Sequence, residues 1–368
     1  MRILCWGTGD QGKPRNRILL AGLESAGAEI THIHSDVWAG VDDKSQLRGS
    51  AKLLRYVKWV AAYPWLLARF LMAPRPDAIL LTYPAQIDAL MIWPAARLRG
   101  VPVLMDLFIS LYDTAINDRQ LSSPGSLKAR LLWRLERLAL RSVNKVIVDT
   151  AAHARYVEEL FGLPANSIGN VPVGVEAREF PRQPPPVPAT RPRILFYGQL
   201  IPLHGIETVL DAAMSAKGEA YDWTIIGSGQ DQPKLAARLG QHPPKHIRWI
   251  PWVPYAELTD WIAGSDICLG IFGGSRKAAS VIPNKVYQAL SSGRHVVTRA
   301  SPAMLELGSD PGITLVEAES PLALLDGIER ALADGCPAPS PALIDGFSSK
   351  GIGSTLAGYL DELRKKEI

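Results

Sequence analysis

Cysteine is scarce in this chain. Cys5, Cys268 and Cys336 are the only three in 368 residues, and their odd number and wide spacing exclude a disulfide framework. Cys5 and Cys268 lie in apolar runs and read as reduced, buried thiols of a cytosolic protein. Excess charge of one sign is scarce too, with 40 Lys and Arg against 36 Asp and Glu. A net charge of +4 suits anionic small molecules or an anionic membrane surface, and is too weak for a nucleic-acid partner. Long apolar runs are missing. The longest uncharged one, Trp59–Ala68, is about half a membrane span, so no transmembrane helix is expected. Arg2 is followed by a short apolar run and a Gly-rich loop, which is not the pattern of a secretory leader. No D-x-D motif occurs, and His32 and His34, on one face of a strand, have no third ligand in view. No metal site is expected.

What the chain has is length and alternation. With 47% apolar and 21% charged residues it is an ordinary globular sequence, too long for one core. Short apolar runs at Arg2–Trp6, Glu29–His34, Ala78–Tyr83, Val101–Asp106 and Lys145–Asp149 predict buried parallel strands. Helical patterns separate them, over Pro14–Gly27, Leu47–Met72, Gln86–Arg99 and Ser126–Val143. A helix over Ala151–Phe161 and a strand near Ser167–Val173 follow. Pro184–Pro188 is stiff and cannot join a sheet interior, so it reads as a linker. Beyond it the pattern restarts, with strands at Arg193–Tyr197, Asp222–Ile226, Ile247–Trp252, Asp266–Phe272, His295–Arg299 and Ile313–Val316. The expected architecture is α/β, with two Rossmann-like doubly wound domains facing a central cleft. They are residues 1–180 and 193–350, joined by a Pro-rich linker at 181–192, with the C-terminal helix 351–368 crossing back to the first domain.

The stretch Arg193–Gly205 carries the clearest chemistry. It reads as a strand, a loop bracketed by Gly198 and Gly205, and a helix start, an arrangement whose open backbone N–H groups and helix dipole attract phosphate oxygens. His204 precedes that helix. Lys285 lies in the first turn of a helix over Pro283–Ser292, and Arg276 and Lys277 sit in the loop before it. Cations at helix N-termini oppose the dipole by several tenths of a kcal/mol, which a bound diphosphate would reverse. Lys13, Arg15 and Arg17 repeat the pattern after Gly7-Thr8-Gly9-Asp10-Gln11-Gly12. That motif, with Asp36 ending the next strand, fits either a dinucleotide site or a plain tight turn. His204 also reads as a loop histidine bonded to a carbonyl. Asp106, Asp113 and Asp118 read either as caps and ion-pair partners or as groups that orient a hydroxyl.

Taken in order, these blocks resemble the GT-B glycosyltransferases, in particular the large retaining family 4 of the group 1 kind. Phe196–Leu200 followed by His204–Glu207 resembles that family's G-R-L…K-G block, and Ile225–Gly229 its second Gly turn. Lys285–Gly293 resembles its E-A-M-A-x-G helix, Gly312–Ala318 its G-L-L-V-x-P strand, and Val171–Phe180 its I-P-N-G-V-D…F exit. The resemblance implies retaining, metal-independent transfer of a sugar from a nucleotide-diphosphate sugar, a substrate and not a cofactor, to a glycan or lipid-linked hydroxyl. It implies donor contacts at Gly198, Gln199, Gly205, Gly227, Gly229, Lys277, Asn284, Lys285 and Gln288. Catalytic roles would fall to Asp106, Asp113 and His204, and acceptor or phosphate contacts to Gly12, Lys13, Arg15 and Asp118. The family's diphosphate Arg is replaced by Gln199 and its Lys by His204. Its E-x7-E pair falls on Ser280 and Gln288, whose amide oxygen can still accept from a ribose hydroxyl. Lys277, Lys285 and a protonated His204 are expected to supply the missing charge.

Leu47–Met72 interleaves Lys52, Arg55, Lys58 and Arg69 with Tyr56, Trp59, Tyr63 and Trp65. The composition suits an interfacial helix, and equally a helix with its aromatics in the core. Peripheral contact through 47–72 with an anionic membrane, on its cytoplasmic face, is the expectation, because lipid-linked acceptors are common in the resembled family. The rival readings are an NAD-dependent oxidoreductase built on Gly7–Gly12, a nucleotide-sugar 2-epimerase of the same fold, and a catalytically degraded peripheral scaffold.

Overall fold

Unbroken apolar runs, unlike alternating ones, must be covered on both faces, and such strands pair in parallel with helices on either side. A computed structural model of the chain describes residues 1–38 and 49–366, with side chains for 1–38 and 54–365. Residues 47 and 48 and the side chain of Lys52 lie outside what is described. The chain divides into two compact units, Met1–Pro172 with Ser349–Ile368, and Val173–Ser348. The Pro-rich stretch 181–192 falls inside the second unit and not at a boundary.

The first unit contains β1 (Arg2–Gly7), β2 (Glu29–His34), β3 (Ala78–Leu81), β4 (Val103–Asp106), β5 (Lys145–Val148) and β6 (Ile168–Asn170). They pair in parallel in the order β2-β1-β3-β4-β5-β6. Helices α1 (Pro14–Ser25), α2 (Gly49–Met72), α3 (Gln86–Arg99), α4 (Leu127–Ser142) and α5 (Ala151–Phe161) connect them. An unanticipated π-helix, Asp113–Asp118, follows β4.

The second unit contains β7 (Arg193–Tyr197), β8 (Asp222–Ile226), β9 (Ile247–Ile250), β10 (Ile267–Leu269), β11 (His295–Arg299) and β12 (Ile313–Val316). Its parallel order is β12-β11-β10-β7-β8-β9. Its helices are α6 (Ile206–Ala213), α7 (Gln232–Leu239), α8 (Leu258–Ala263), α9 (Arg276–Ser280), α10 (Asn284–Ser291), α11 (Pro302–Leu305), α12 (Pro321–Ala333) and α13 (Pro341–Gly346). Arg276 and Lys277, expected in a loop, start α9 because Ser275 caps it by accepting from Ala278 N–H.

The last helix, α14 (Ser349–Lys366), returns to the first unit as expected. Its Ile352, Leu356 and Leu360 pack with Ile18, Leu19 and Leu23 of α1. The two helices approach so closely that a Cβ on Gly353 would lie 1.9 Å from the carbonyl oxygen of Gly22.

Candidate functional site

In the second sheet the strand order reverses between β7 and β10, the place where open α/β sheets leave a crevice at their strands' carboxyl ends. The loop after β7 turns at Gly198 (φ 131°) and ends at Gly205 (φ 65°). Its neighbour after β8 turns at Gly227, where a Cβ would lie 1.9 Å from the carbonyl oxygen of Gly198, so backbone meets backbone. A Cβ on Gly229 would stand 2.6 Å from the carbonyl oxygen of Leu200. The residues before α6 and α10, Gly205 and Pro283, give neither helix a side-chain cap on its first N–H groups.

Lys285 and His204 converge on Gly198, since a Cβ there would lie 3.3 Å from Lys285 Cε and 3.2 Å from His204 Cε1. Lys285 is 5% exposed and its Nζ sits 3.8 Å from the centre of the Phe196 ring. Among the described residues neither Lys285 Nζ nor His204 Nδ1, both shut off from solvent, has a hydrogen-bond partner. Burial holds the Lys285 amine well below the usual lysine range. Burial, then the neighbouring Lys285, holds His204 well below the usual histidine range. The expectation of a protonated His204 is therefore not supported: burial, and then the neighbouring Lys285, both act against charge on the ring.

The remaining expected donor residues are spread around this point. Gln199 is exposed on the β7 loop, Asn284 opens α10, and Lys277 is half-buried on α9. Gln288, 6% exposed, lies one helical turn beyond Lys285 and donates through Nε2 to Tyr255 Oη at 3.2 Å. Tyr255 Oη in turn donates to Glu176 Oε2 at 3.1 Å. Glu176 stands at the acidic position of the Val171–Phe180 block, where the sequence assigned it no role, and Tyr255 was not singled out.

In the first unit several expectations are overturned. Arg15 and Asp106 are each fully buried and joined by two hydrogen bonds, Nη2 to Oδ1 at 2.9 Å and Nε to Oδ2 at 3.1 Å. Arg15 is thus an internal counter-charge and not a phosphate ligand, and Asp106 is not open to an acceptor. Asp113 is 1% exposed, and its Oδ1 accepts from the Tyr156 hydroxyl and from Asn117 Nδ2, so it braces the π-helix from inside. Asp118, 9% exposed, ends that π-helix.

The Gly7–Gly12 loop is no anion cradle. Thr8 N–H donates to Asp88 at 2.7 Å, Asp10 N–H to the Tyr83 carbonyl at 2.8 Å, and Gly12 N–H to Asp10 Oδ1 at 3.0 Å. Lys13 N–H donates to the Asp10 carbonyl at 3.0 Å. Its first glycines serve close packing: a Cβ on Gly7 would lie 2.2 Å from Asp88 Oδ2, and one on Gly9 2.0 Å from Thr82 Oγ1. The dinucleotide reading fails on these spent amides, and with it the phosphate role of Gly12 and the Lys13 amide.

Two buried carboxylates went unread in the sequence. Asp88 accepts from Thr8 N–H, the Thr8 hydroxyl and the Tyr63 hydroxyl. Glu136 of α4 accepts from Gln86 Nε2, the Ser110 hydroxyl and the N–H groups of Leu111 and Tyr112, fixing the segment after β4. A lone acid in an apolar helix, as in Gln86-Ile87-Asp88-Ala89-Leu90, was the available signal.

The aromatics of α2 divide between core and surface. Tyr63 is 2% exposed and donates to Asp88, while Trp59 Nε1 donates to Thr8 Oγ1 at 2.8 Å. Trp65 is exposed, on a stripe with Leu54, Val57, Val60, Leu71 and Met72. Lys58 and Arg69 are exposed on the same helix. No helix of the described residues is long and apolar enough to cross a membrane.

Residues 7–174 match the family model for a glycosyl transferase 4-like domain, and residues 191–334 that for glycosyl transferases group 1. The chain is 30% identical over 151 residues to the Escherichia coli (strain K12) protein described as a colanic acid biosynthesis glycosyl transferase, WcaI. That match spans 40% of this chain and 37% of the relative's length. Among solved structures, Anabaena HepE in complex with UDP gives a TM-score of 0.69 at 13% identity, covering 98% of this chain and 99% of that one. Sucrose-phosphate synthase from Thermosynechococcus elongatus gives 0.63 at 15%, covering 98% and 94%. At such identities the likeness is one of fold.

Proposed function

The chain belongs to the GT-B glycosyltransferases, and we propose that it moves a sugar, with retention at the anomeric carbon and without a metal ion, from a nucleoside-diphosphate donor to a hydroxyl acceptor. The observation that carries this reading is the pair of shielded nitrogens without hydrogen-bond partners, Lys285 Nζ and His204 Nδ1, beside Gly198 where the second sheet reverses. A donor diphosphate there gives Lys285 a counter-charge and draws a proton onto it. The first N–H groups of α6 and α10 donate to its oxygens, and neutral His204 offers Nδ1 to a polar group of the donor. As the bond between the anomeric carbon and the diphosphate breaks, its electron pair stays with the phosphate, and Lys285 with these amides stabilises the charge that develops. The acceptor oxygen bonds to the carbon on the same face, and its proton passes to the departing phosphate. The bound UDP of the HepE structure supports a nucleotide donor, and the family resemblance supports retention.

We place the acceptor, a glycan or lipid-linked alcohol, near the π-helix Asp113–Asp118 at the carboxyl end of β4, because such helices recur at functional sites. The exposed apolar stripe of α2, with Lys58 and Arg69 and no acidic residue between Gly49 and Met72, supports peripheral contact with the anionic cytoplasmic face of a membrane. Calorimetric titration with UDP, GDP, ADP and NADH tests the core of the reading. At least one nucleoside diphosphate is expected to bind, and binding of NADH with none of the three would overturn it.

A further inference from the structure

We infer that Glu176 and Tyr255 form a relay that fixes the Gln288 amide with its oxygen turned toward the ribose of the donor nucleotide. The inference rests on the nucleotide reading above and adds to it two positioning residues that touch no substrate.

The relay follows from which groups can donate. A carboxylate only accepts, so across the 3.1 Å contact the Tyr255 hydroxyl gives its one proton to Glu176. Having spent that proton, the hydroxyl can only accept across the 3.2 Å contact with Gln288. The amide nitrogen of Gln288 must therefore face Tyr255, and its oxygen must face away. An amide lacking such a partner could present either end to a ligand hydroxyl. Here one orientation is removed.

The relay is braced at both ends. The Phe180 ring packs edge-on against Tyr255 with centroids 5.4 Å apart. Ser291 Oγ donates to the Phe180 carbonyl at 2.9 Å, tying the segment that carries Glu176 to α10, the helix that carries Gln288. Gln288 lies one turn from Lys285 on that helix, so a nucleotide with its diphosphate at Lys285 has its ribose within reach. The negative charge missing from position 288 is thus present at Glu176, acting through a hydroxyl.

Titration with UDP, GDP and ADP, each against its 2′,3′-dideoxy counterpart, reads the ribose contact separately from the diphosphate contact. The wild type is expected to prefer the ribonucleotide by about tenfold. Tyr255→Phe should lose most of that preference, and Glu176→Gln, whose amide can either accept from Tyr255 or donate to it, should lose part of it, while both keep the affinity for the dideoxy compound, which also reports that they fold. The double variant Glu176→Gln with Gln288→Glu should regain the preference. The new amide then donates to Tyr255, and Tyr255 donates to the new carboxylate, whose other oxygen meets the ribose. Gln288→Glu alone sets two carboxylates against one hydroxyl proton and should not exceed the wild type. An unchanged preference in Tyr255→Phe, or a double variant no better than Glu176→Gln, overturns the relay and leaves the nucleotide site standing. Failure of the wild type to bind any of the three ribonucleotides overturns both.

Discussion

Arg15 and Asp106 stand face to face in the first unit, guanidinium edge against carboxylate, with neither side chain exposed. Arg15 Nη1 also donates to the carbonyls of Val171 and Pro172, so one side chain joins the start of α1, the end of β4 and the segment after β6. Removing one charge leaves the other buried and uncompensated, at a cost of about 3–5 kcal/mol. Asp106→Asn is therefore expected to lower unfolding stability by about 3 kcal/mol and Tm by roughly 10 °C. Urea and thermal melts check this, and a variant as stable as the wild type would remove the structural role.

Lys285 is a buried amine, and its burial disfavours the charged form. Its pKa in the fold is lowered, so at this site the unfolded chain binds more protons, and the stability lost to Lys285 is recovered as pH rises to the ordinary lysine range. Lys285→Met should be more stable than the wild type, most at low pH and progressively less toward alkaline pH. The same variant should bind its nucleoside diphosphate about 10- to 100-fold more weakly, the worth of one charge-assisted hydrogen bond. Thermal shifts from pH 6 to about 10, with and without nucleotide, read both effects. A variant with no stability gain and unchanged nucleotide affinity contradicts the assignment.

Asp88 makes the opposite prediction on the acid side. Burial raises its carboxyl to about 7, against the hydrogen bonds from Thr8 and Tyr63 that pull it down. The folded state thus holds a proton that the unfolded chain releases near pH 4, and Asp88 lowers stability as pH rises from about 4 to 7. In urea titrations across that window, Asp88→Asn should gain on the wild type as pH rises. A constant difference between the two would mean an ordinary carboxyl.

The proposed membrane contact is tested on the outer face of α2. Wild-type protein is expected to co-sediment with anionic vesicles, less with neutral ones, and less again at high salt. Trp65→Glu and Val60→Glu, both at exposed positions, should abolish co-sedimentation without changing the melting temperature. Wild-type protein that stays in the supernatant with anionic vesicles ends the idea.

The strands were legible where an unbroken apolar run ends in a charged or turn residue, as at Arg193–Tyr197 and His295–Arg299, which coincide with β7 and β11. They ran too long where apolar residues continue past the ladder, so Asp266–Phe272 shrinks to Ile267–Leu269. The turn glycines Gly198, Gly205, Gly227 and Gly229 were legible because a tight turn restricts residue type locally. Partnership across the sheet was not. Arg15 and Asp106 are 91 positions apart, and sequence spacing carries no sign that one neutralises the other. The burial of Lys285 against Phe196 was not legible either, because it depends on how β7 and α10 meet.

The contact of α14 with α1 sets an order of events during synthesis. Ile18, Leu19 and Leu23 are made early, but the residues that cover them, Ile352, Leu356 and Leu360, leave the ribosome only after the whole of Val173–Ser348. The unit encoded second can therefore close first, while the unit encoded first waits with a greasy flank in water. Through that interval the flank formed by Ile18, Leu19 and Leu23 lacks its cover.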